Sequence, residues 1–228
     1  MNDVKLIKTK GYGTQAEMVM ILAHGAGAPM DSPFMEALAE ALDARGIACV
    51  RFEFPYMQKR REDGMQKRRE DGKKRPPDRQ PRLLECFSGV IARIRDEVGP
   101  GPSLLIGGKS MGGRMASVLA SEETEGISAV VCYGYPFHPP GKPDRWRIEH
   151  LRQVTCPLMV VQGTRDPFGK PDELAALGDI PGISRLVWLD GGNHDFQPPV
   201  RHPETQESLL NKAAESTRQF AAELLVAS

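Results

Sequence analysis

Short apolar runs recur along the chain, and longer amphipathic stretches separate them. Residues 4–9 alternate apolar and polar positions, the period of a half-exposed edge strand, before Gly11-Tyr12-Gly13 ends the run. Residues 18–23 are continuously apolar and predict a strand buried on both faces. Phe34, Leu38 and Leu42 then recur at helical spacing up to Gly46, and residues 47–54 predict a third strand that stops at Pro55. The alternation resumes with a helix face at Leu83, Phe87, Val90, Ile91 and Ile94, and strands at 104–106, 129–133, 158–162 and 185–189. A short helix near 172–177 and a C-terminal amphipathic helix marked by Leu209, Leu210, Ala213, Phe220 and Leu224 complete the pattern. Strands alternating with helices predict an α/β fold, a mostly parallel central sheet of about six to seven strands with helices on both faces. No linker divides the pattern, which predicts one domain over residues 1–228.

Residues 57–82 interrupt it. They hold a net charge of +6, several prolines and almost no apolar residues, and the octet 57–64 recurs unchanged as 65–72. A perfect tandem copy this short predicts a local duplication in an insertion-tolerant, solvated loop rather than a repeat architecture. Its charge would steer anionic substrates or an acidic partner toward a nearby site.

The remaining composition narrows the class. With 228 residues and 40% hydrophobic content the chain can bury a sizeable core, and 30 Lys and Arg balance 30 Asp and Glu. A zero net charge offers no global attraction to nucleic acid or to a membrane surface. Cys49, Cys86, Cys132 and Cys156 lie far apart within apolar segments, as buried reduced thiols do. The first residues lack a basic region followed by an apolar core, and no run approaches the ~18 apolar residues of a membrane span, so a soluble, cytoplasmic protein is expected.

In an open parallel sheet, ligands bind beyond the carboxyl ends of the strands, so the residues just after each strand carry the chemistry. Those residues are His24-Gly25-Ala26-Gly27, the elbow Gly108-Lys109-Ser110-Met111-Gly112, Asp166 and His194. G-x-S-x-G between a strand and a helix is the setting of a nucleophile elbow. A serine hydroxyl needs a base within hydrogen-bond reach, the part assigned to His194, and the imidazolium then needs a carboxylate, the part assigned to Asp166. The Met111 amide and an amide of the 24–27 turn, most simply that of Ala26, are the candidate oxyanion donors, with Gly25 and Gly27 allowing the backbone to approach a substrate. No His/Cys/carboxylate spacing matches a metal site and no phosphate-binding glycine loop follows a strand, so neither metal nor cofactor is expected.

The chain resembles small, cap-less α/β-hydrolases of the dienelactone-hydrolase-like group. The stretches that carry the resemblance are His24-Gly25-Ala26-Gly27, Gly108 to Gly113, Thr164-Arg165-Asp166-Pro167 and Gly192-Asn193-His194-Asp195-Phe196. Residues 52–57, 74–78 and 134–140 resemble, more narrowly, the bacterial branch related to the hydrolase-like domain of a chromatin NSL-complex subunit. The resemblance implies an α/β-hydrolase fold without a lid and a serine hydrolase acting on carboxylic esters, with Ser110, Asp166 and His194 as its triad. The doubled octet departs from the pattern, and so does Ser110, where dienelactone hydrolases proper use cysteine. The connection from Pro136 to Arg147 is too short for a lid, which predicts an open pocket suited to small or short-acyl esters.

Other polar residues near the strand ends have simpler expected parts. His24 suits a brace for its own turn; His138 is expected to border the substrate; His150 and His202 are expected at the surface. Asp190 and Asp195 are the rival acids, each close in sequence to His194. The competing class is a non-catalytic hydrolase-like domain used for protein contacts.

Overall fold

The computed structural model describes residues 4–13, 16–64, 76–123 and 125–227. Its strands are β1 (Leu6–Lys8), β2 (Met18–Ala23), β3 (Ile47–Phe52), β4 (Ser103–Lys109), β5 (Ala129–Tyr133), β6 (Leu158–Gly163) and β7 (Arg185–Leu189). They form one sheet in the order β1-β3-β2-β4-β5-β6-β7, with β1 antiparallel to β3 and the other pairings parallel. The helices are α1 (Pro33–Asp43), α2 (Pro55–Glu62), α3 (Gln80–Val98), α4 (Met111–Glu122), α5 (Pro171–Ala175) and α6 (Gln206–Ala227), with one 3₁₀ turn at Leu151–Gln153.

The period-2 geometry of strands divides the core between two layers. Val19, Ile21 and Ala23 of β2 face a cluster built with Phe87, Val90 and Ile94 of α3 and Met115 and Leu119 of α4. Met18, Met20 and Leu22 point the other way, onto Leu38 and Leu42 of α1 and Leu209, Leu210 and Phe220 of α6. Both faces of the central strands are therefore dry, which is why their sequences are continuously apolar instead of alternating.

Strand order also explains where a site can form. β2 is flanked by β3 on one side and by β4 on the other, so the chain reverses its direction of travel across the sheet at that point. The crevice beyond the carboxyl ends of β2 and β4 is the topological switch point, where the segments following the two strands diverge and leave room for a ligand. Ala23 of β2 pairs with Gly108 of β4, bringing the His24 turn beside Ser110. After β5, residues 134–150 carry neither helix nor strand, and Tyr135 and Phe137 are buried in the molecule rather than overhanging it.

The basic segment is less loop-like than its polarity predicts. The third strand ends at Phe52, and Pro55 opens α2, whose Tyr56 and Met57 are fully covered. Proline at a first helical position costs no hydrogen bond, because that N–H has no intrahelical partner. The first octet copy is thus mostly helical, and it is fastened: Arg61 donates to both carboxylate oxygens of the buried Glu53, at 2.6 and 3.0 Å, and pairs with Asp31. Two buried residues in a highly charged stretch are too weak a periodic signal to reveal this helix. The second copy, 65–72, lies outside the described residues. No helix among the described residues is long and apolar enough to cross a membrane.

Candidate active site

The elbow is built by steric exclusion. Ser110 follows the last residue of β4 and caps α4 with φ 51° and ψ −115°, one of two non-glycine residues at positive φ among those described. Such a conformation costs of order 1–3 kcal/mol and persists only where the surroundings enforce it. The Ser110 N–H donates to the Tyr133 carbonyl at 2.9 Å, and its own carbonyl accepts from Arg114 N–H at 3.0 Å. The serine is thereby held between β5 and the first turn of α4.

Asp166 and His194 come from the ends of β6 and β7. Asp166 follows β6, is fully buried, and accepts from His194 Nδ1 at 2.8 Å through Oδ2. Its Oδ1 accepts the Phe168 N–H at 2.9 Å, and Gln162 Nε2 adds a third bond, to Oδ2, at 3.0 Å. A carboxylate so buried is tolerable because each oxygen is hydrogen-bonded. His194 is partly exposed, and the Phe168 ring lies against it with centroids 4.3 Å apart. The bond to Asp166 fixes Nδ1 as the protonated nitrogen and leaves Nε2 to accept. Gly134, which follows Tyr133, brings these strand ends together: a Cβ there would lie 3.3 Å from His194 Nδ1. Among the described residues no hydrogen bond links Ser110 to His194; such bonds commonly tighten only when substrate is bound.

The rival acids are engaged elsewhere. Asp190 lies 3.3 Å from His202 Nε2 and is largely exposed, while Asp195 pairs with Lys109.

The turn after β2 is braced from below. His24 is fully buried; its Nδ1 bonds the Gly25 carbonyl at 2.7 Å, and its Nε2 accepts the Phe54 N–H at 3.1 Å. Burial pushes its pKa down to about 4, so the ring is neutral. Tyr56 Oη and Arg60 Nη1 both donate to the Ala26 carbonyl, at 3.2 and 3.1 Å. These bonds hold the Ala26–Gly27 peptide, while the bonds of His24 Nδ1 and Tyr56 Oη to the Gly25 carbonyl orient the Gly25–Ala26 peptide, which carries the Ala26 N–H. Gly25 approaches the elbow, a Cβ on it lying 3.7 Å from Ser110 Cβ, whereas Gly27 borders open space. Met111 is the first residue of α4, so its N–H has no partner within the helix and sits at the positive end of the helix dipole.

Three histidines differ from expectation. His138 does not border an open pocket: it is 1% exposed, with Nδ1 against the Pro139 carbonyl and Nε2 3.2 Å from Glu173, and Trp146 covers its ring edge-on. His150 is half-buried and bonds Ser117 Oγ at 2.8 Å, while His202 is tucked over Gly191. Each lies in a polar loop, and only tertiary packing covers it. Gln162, not among the strand-end candidates, also belongs to the site: its Nε2 faces the Asp166 carboxylate and the carbonyls of Tyr135 and Gly169. A glutamine inside a continuously apolar strand was the signal that could have found it. Two grooves of about 310 and 460 Å³ open around Asp43 and around Tyr12, by the amino-terminal ends of β2, β3 and β4, and neither is lined by these residues.

Known proteins share this architecture. The ferulic-acid-bound structure of Est1E from Butyrivibrio proteoclasticus superimposes with a TM-score of 0.70 at 16% identity, covering 98% of this chain and 96% of that one. Dienelactone hydrolase from Anabaena variabilis gives 0.64 at 21% identity, covering 93% and 95%. A lid-less α/β serine hydrolase from Xanthomonas campestris gives 0.65 at 19% identity, covering 96% and 88%. In sequence, two Mycobacterium tuberculosis proteins named as phosphoribosyl transferases are 26% identical over 183 residues, 79% of this chain. The chain spans 37% of the length of those relatives. The model of the alpha/beta hydrolase domain family matches residues 16–222, and the chain belongs to that family.

Proposed function

We propose that the protein is a serine carboxylesterase acting on small or short-acyl esters, with Ser110 as nucleophile, His194 as general base and Asp166 as its carboxylate. The observation that carries this reading is the 2.8 Å bond from His194 Nδ1 to a buried Asp166, together with a serine held at φ 51° at the end of β4. In this mechanism Ser110 Oγ attacks the ester carbonyl carbon while its proton passes to His194 Nε2. The Met111 and Ala26 amides receive the developing oxyanion, a contribution of about 3 kcal/mol per donor in comparable holes. His194 then protonates the departing alcohol, and a water that it deprotonates releases the acid from the acyl-enzyme. Asp166 stays ionised and stabilises the imidazolium.

The phosphoribosyl-transferase name belongs to relatives nearly three times as long as the segment they share with this chain, and acyl transfer is the chemistry that a serine, histidine and aspartate at three strand ends can perform. The short connection after β5 favours an accessible pocket and hence short acyl groups. A fluorophosphonate probe tests the reading: a covalent adduct on Ser110, absent in Ser110→Ala, is expected together with turnover of short-chain p-nitrophenyl esters. Failure of the native protein to label, or a marked preference for long acyl chains, would overturn it.

A further inference from the structure

Lys109 is the first of the two variable residues of the elbow motif, and its side chain is buried between Gly25 and Gly134. It is the last residue of β4, with its side chain only 7% exposed. The aliphatic stem passes the 24–27 turn, Cγ lying 3.7 Å from the Cβ position of Gly25, and the ammonium ends 5.2 Å from the centre of the Phe34 ring. Nζ is 3.3 Å from Asp195 Oδ1, and that carboxylate is itself 65% exposed. The Cβ position of Gly134 is 3.2 Å from Lys109 Nζ and 3.3 Å from His194 Nδ1, so ammonium and imidazole flank the same point. An ammonium taken out of water and matched to a single exposed carboxylate costs free energy that a methionine of similar length would not. Burial accordingly pushes its pKa below the usual lysine range, with Asp195 and then Asp166 opposing.

We propose that Lys109 is a positioning residue for His194: paired with Asp195, it clamps loop 193–196 against the end of β4 and sets its ammonium beside the imidazole. This deepens the esterase reading and rests on it for its catalytic meaning. The charged groups around His194 are Asp166 from the end of β6, bonded to its Nδ1, Lys109 from the end of β4, across the Gly134 Cβ position, and Asp195 of its own loop, whose carboxylate pairs with Lys109. The neighbouring elements add uncharged groups: Phe168 against the ring, Phe34 of α1 against the ammonium, and Gln206 of α6, which donates to the Asp195 carbonyl at 2.7 Å. The two members of the clamp therefore act on the imidazole with opposite signs. Removing the cation favours imidazolium, and removing the anion disfavours it.

The experiment is a pH titration of the His194 ring by NMR in ¹⁵N-histidine-labelled native protein, Lys109→Met and Asp195→Asn, with kcat/KM profiles alongside. The expected result is a midpoint about one pH unit higher in Lys109→Met and lower in Asp195→Asn, given charges this close in a partly buried setting. The acid limb of kcat/KM should move in the same directions, with kcat of Lys109→Met reduced about tenfold and KM little changed. Shifts of the same sign, or midpoints unchanged in both variants, would overturn the proposal. Should Lys109→Met fail to fold, Asp195→Asn decides alone: a lowered midpoint supports the clamp, and an unchanged or raised one refutes it. The NMR midpoint needs no turnover, so opposed shifts in a protein that does not label with fluorophosphonate would sustain the clamp while removing the esterase reading.

Discussion

A Cβ atom on Gly112 would stand 2.3 Å from the carbonyl oxygen of Ala23. The first turn of α4 therefore rests directly on the end of β2, backbone against backbone, and this contact sets the distance between the elbow and the 24–27 turn. Gly112→Ala should destabilise the fold by about 2–3 kcal/mol through overpacking, since neither strand nor helix can retreat without breaking the core. Denaturant titration measures this; a loss under about 0.5 kcal/mol would mean that the helix slides freely.

Gln162 provides a second handle. Its amide nitrogen donates toward Asp166 and two carbonyls, while its buried Oε1 has no partner among the described residues. The three acceptors around one atom assign that atom as nitrogen. Gln162→Met keeps the volume and deletes the donor, so Asp166 loses one of its three bonds. Esterase activity should fall about tenfold, mainly in kcat, while thermal stability drops little. Equal kcat in native and variant protein would show that His194 and Phe168 suffice to hold the carboxylate.

His24 predicts a pH dependence of stability. Its neutral ring uses one nitrogen as donor to the Gly25 carbonyl and the other as acceptor from Phe54, so a second proton would face an N–H in a fully buried site. The group titrates at an ordinary 6.5 when unfolded and at about 4 when folded. Between these values the unfolded chain binds more protons, so stability is complete above about pH 6.5 and is lost as pH falls toward 4, a change on the order of 3 kcal/mol. Urea denaturation of the native protein and His24→Gln across this window tests it. The variant should show a flatter profile, and parallel profiles would locate the acid sensitivity elsewhere.

The octet duplication leads to a different expectation. Because 57–64 and 65–72 are identical, excising either copy yields the same chain. That chain still supplies Met57 to the core, Arg60 to the Ala26 carbonyl and Arg61 to Glu53. Shortening a connection by eight residues alters its closure entropy by only a few tenths of a kcal/mol. The melting temperature should stay within about 2 °C of the native value, whereas Arg61→Ala in the shortened chain strands a buried carboxylate and costs about 2 kcal/mol. A large loss from the excision itself would show that the second copy carries contacts of its own.

What the amino-acid order determined by itself is the layered fold and the identity of the residues at the strand ends. Continuous apolar runs such as residues 18–23 admit few environments other than the middle of a doubly covered sheet, and the rule that ligands sit beyond strand carboxyl ends then points to Ser110, Asp166 and His194. Packing between segments distant in sequence decided the rest. Whether Asp166, Asp190 or Asp195 meets the imidazole depends on how loops of nearly equal length fold back, and only the first of them does so. Loop position puts His138 beside the substrate and polarity puts the first octet copy in solvent, yet Glu173 and Trp146 enclose the one, and Glu53 draws the other into a helix. Local periodicity records which side of an element is apolar. It does not record which polar groups find partners across the fold, and those partnerships, from Gln162 to Lys109, are what the tertiary structure adds around the serine.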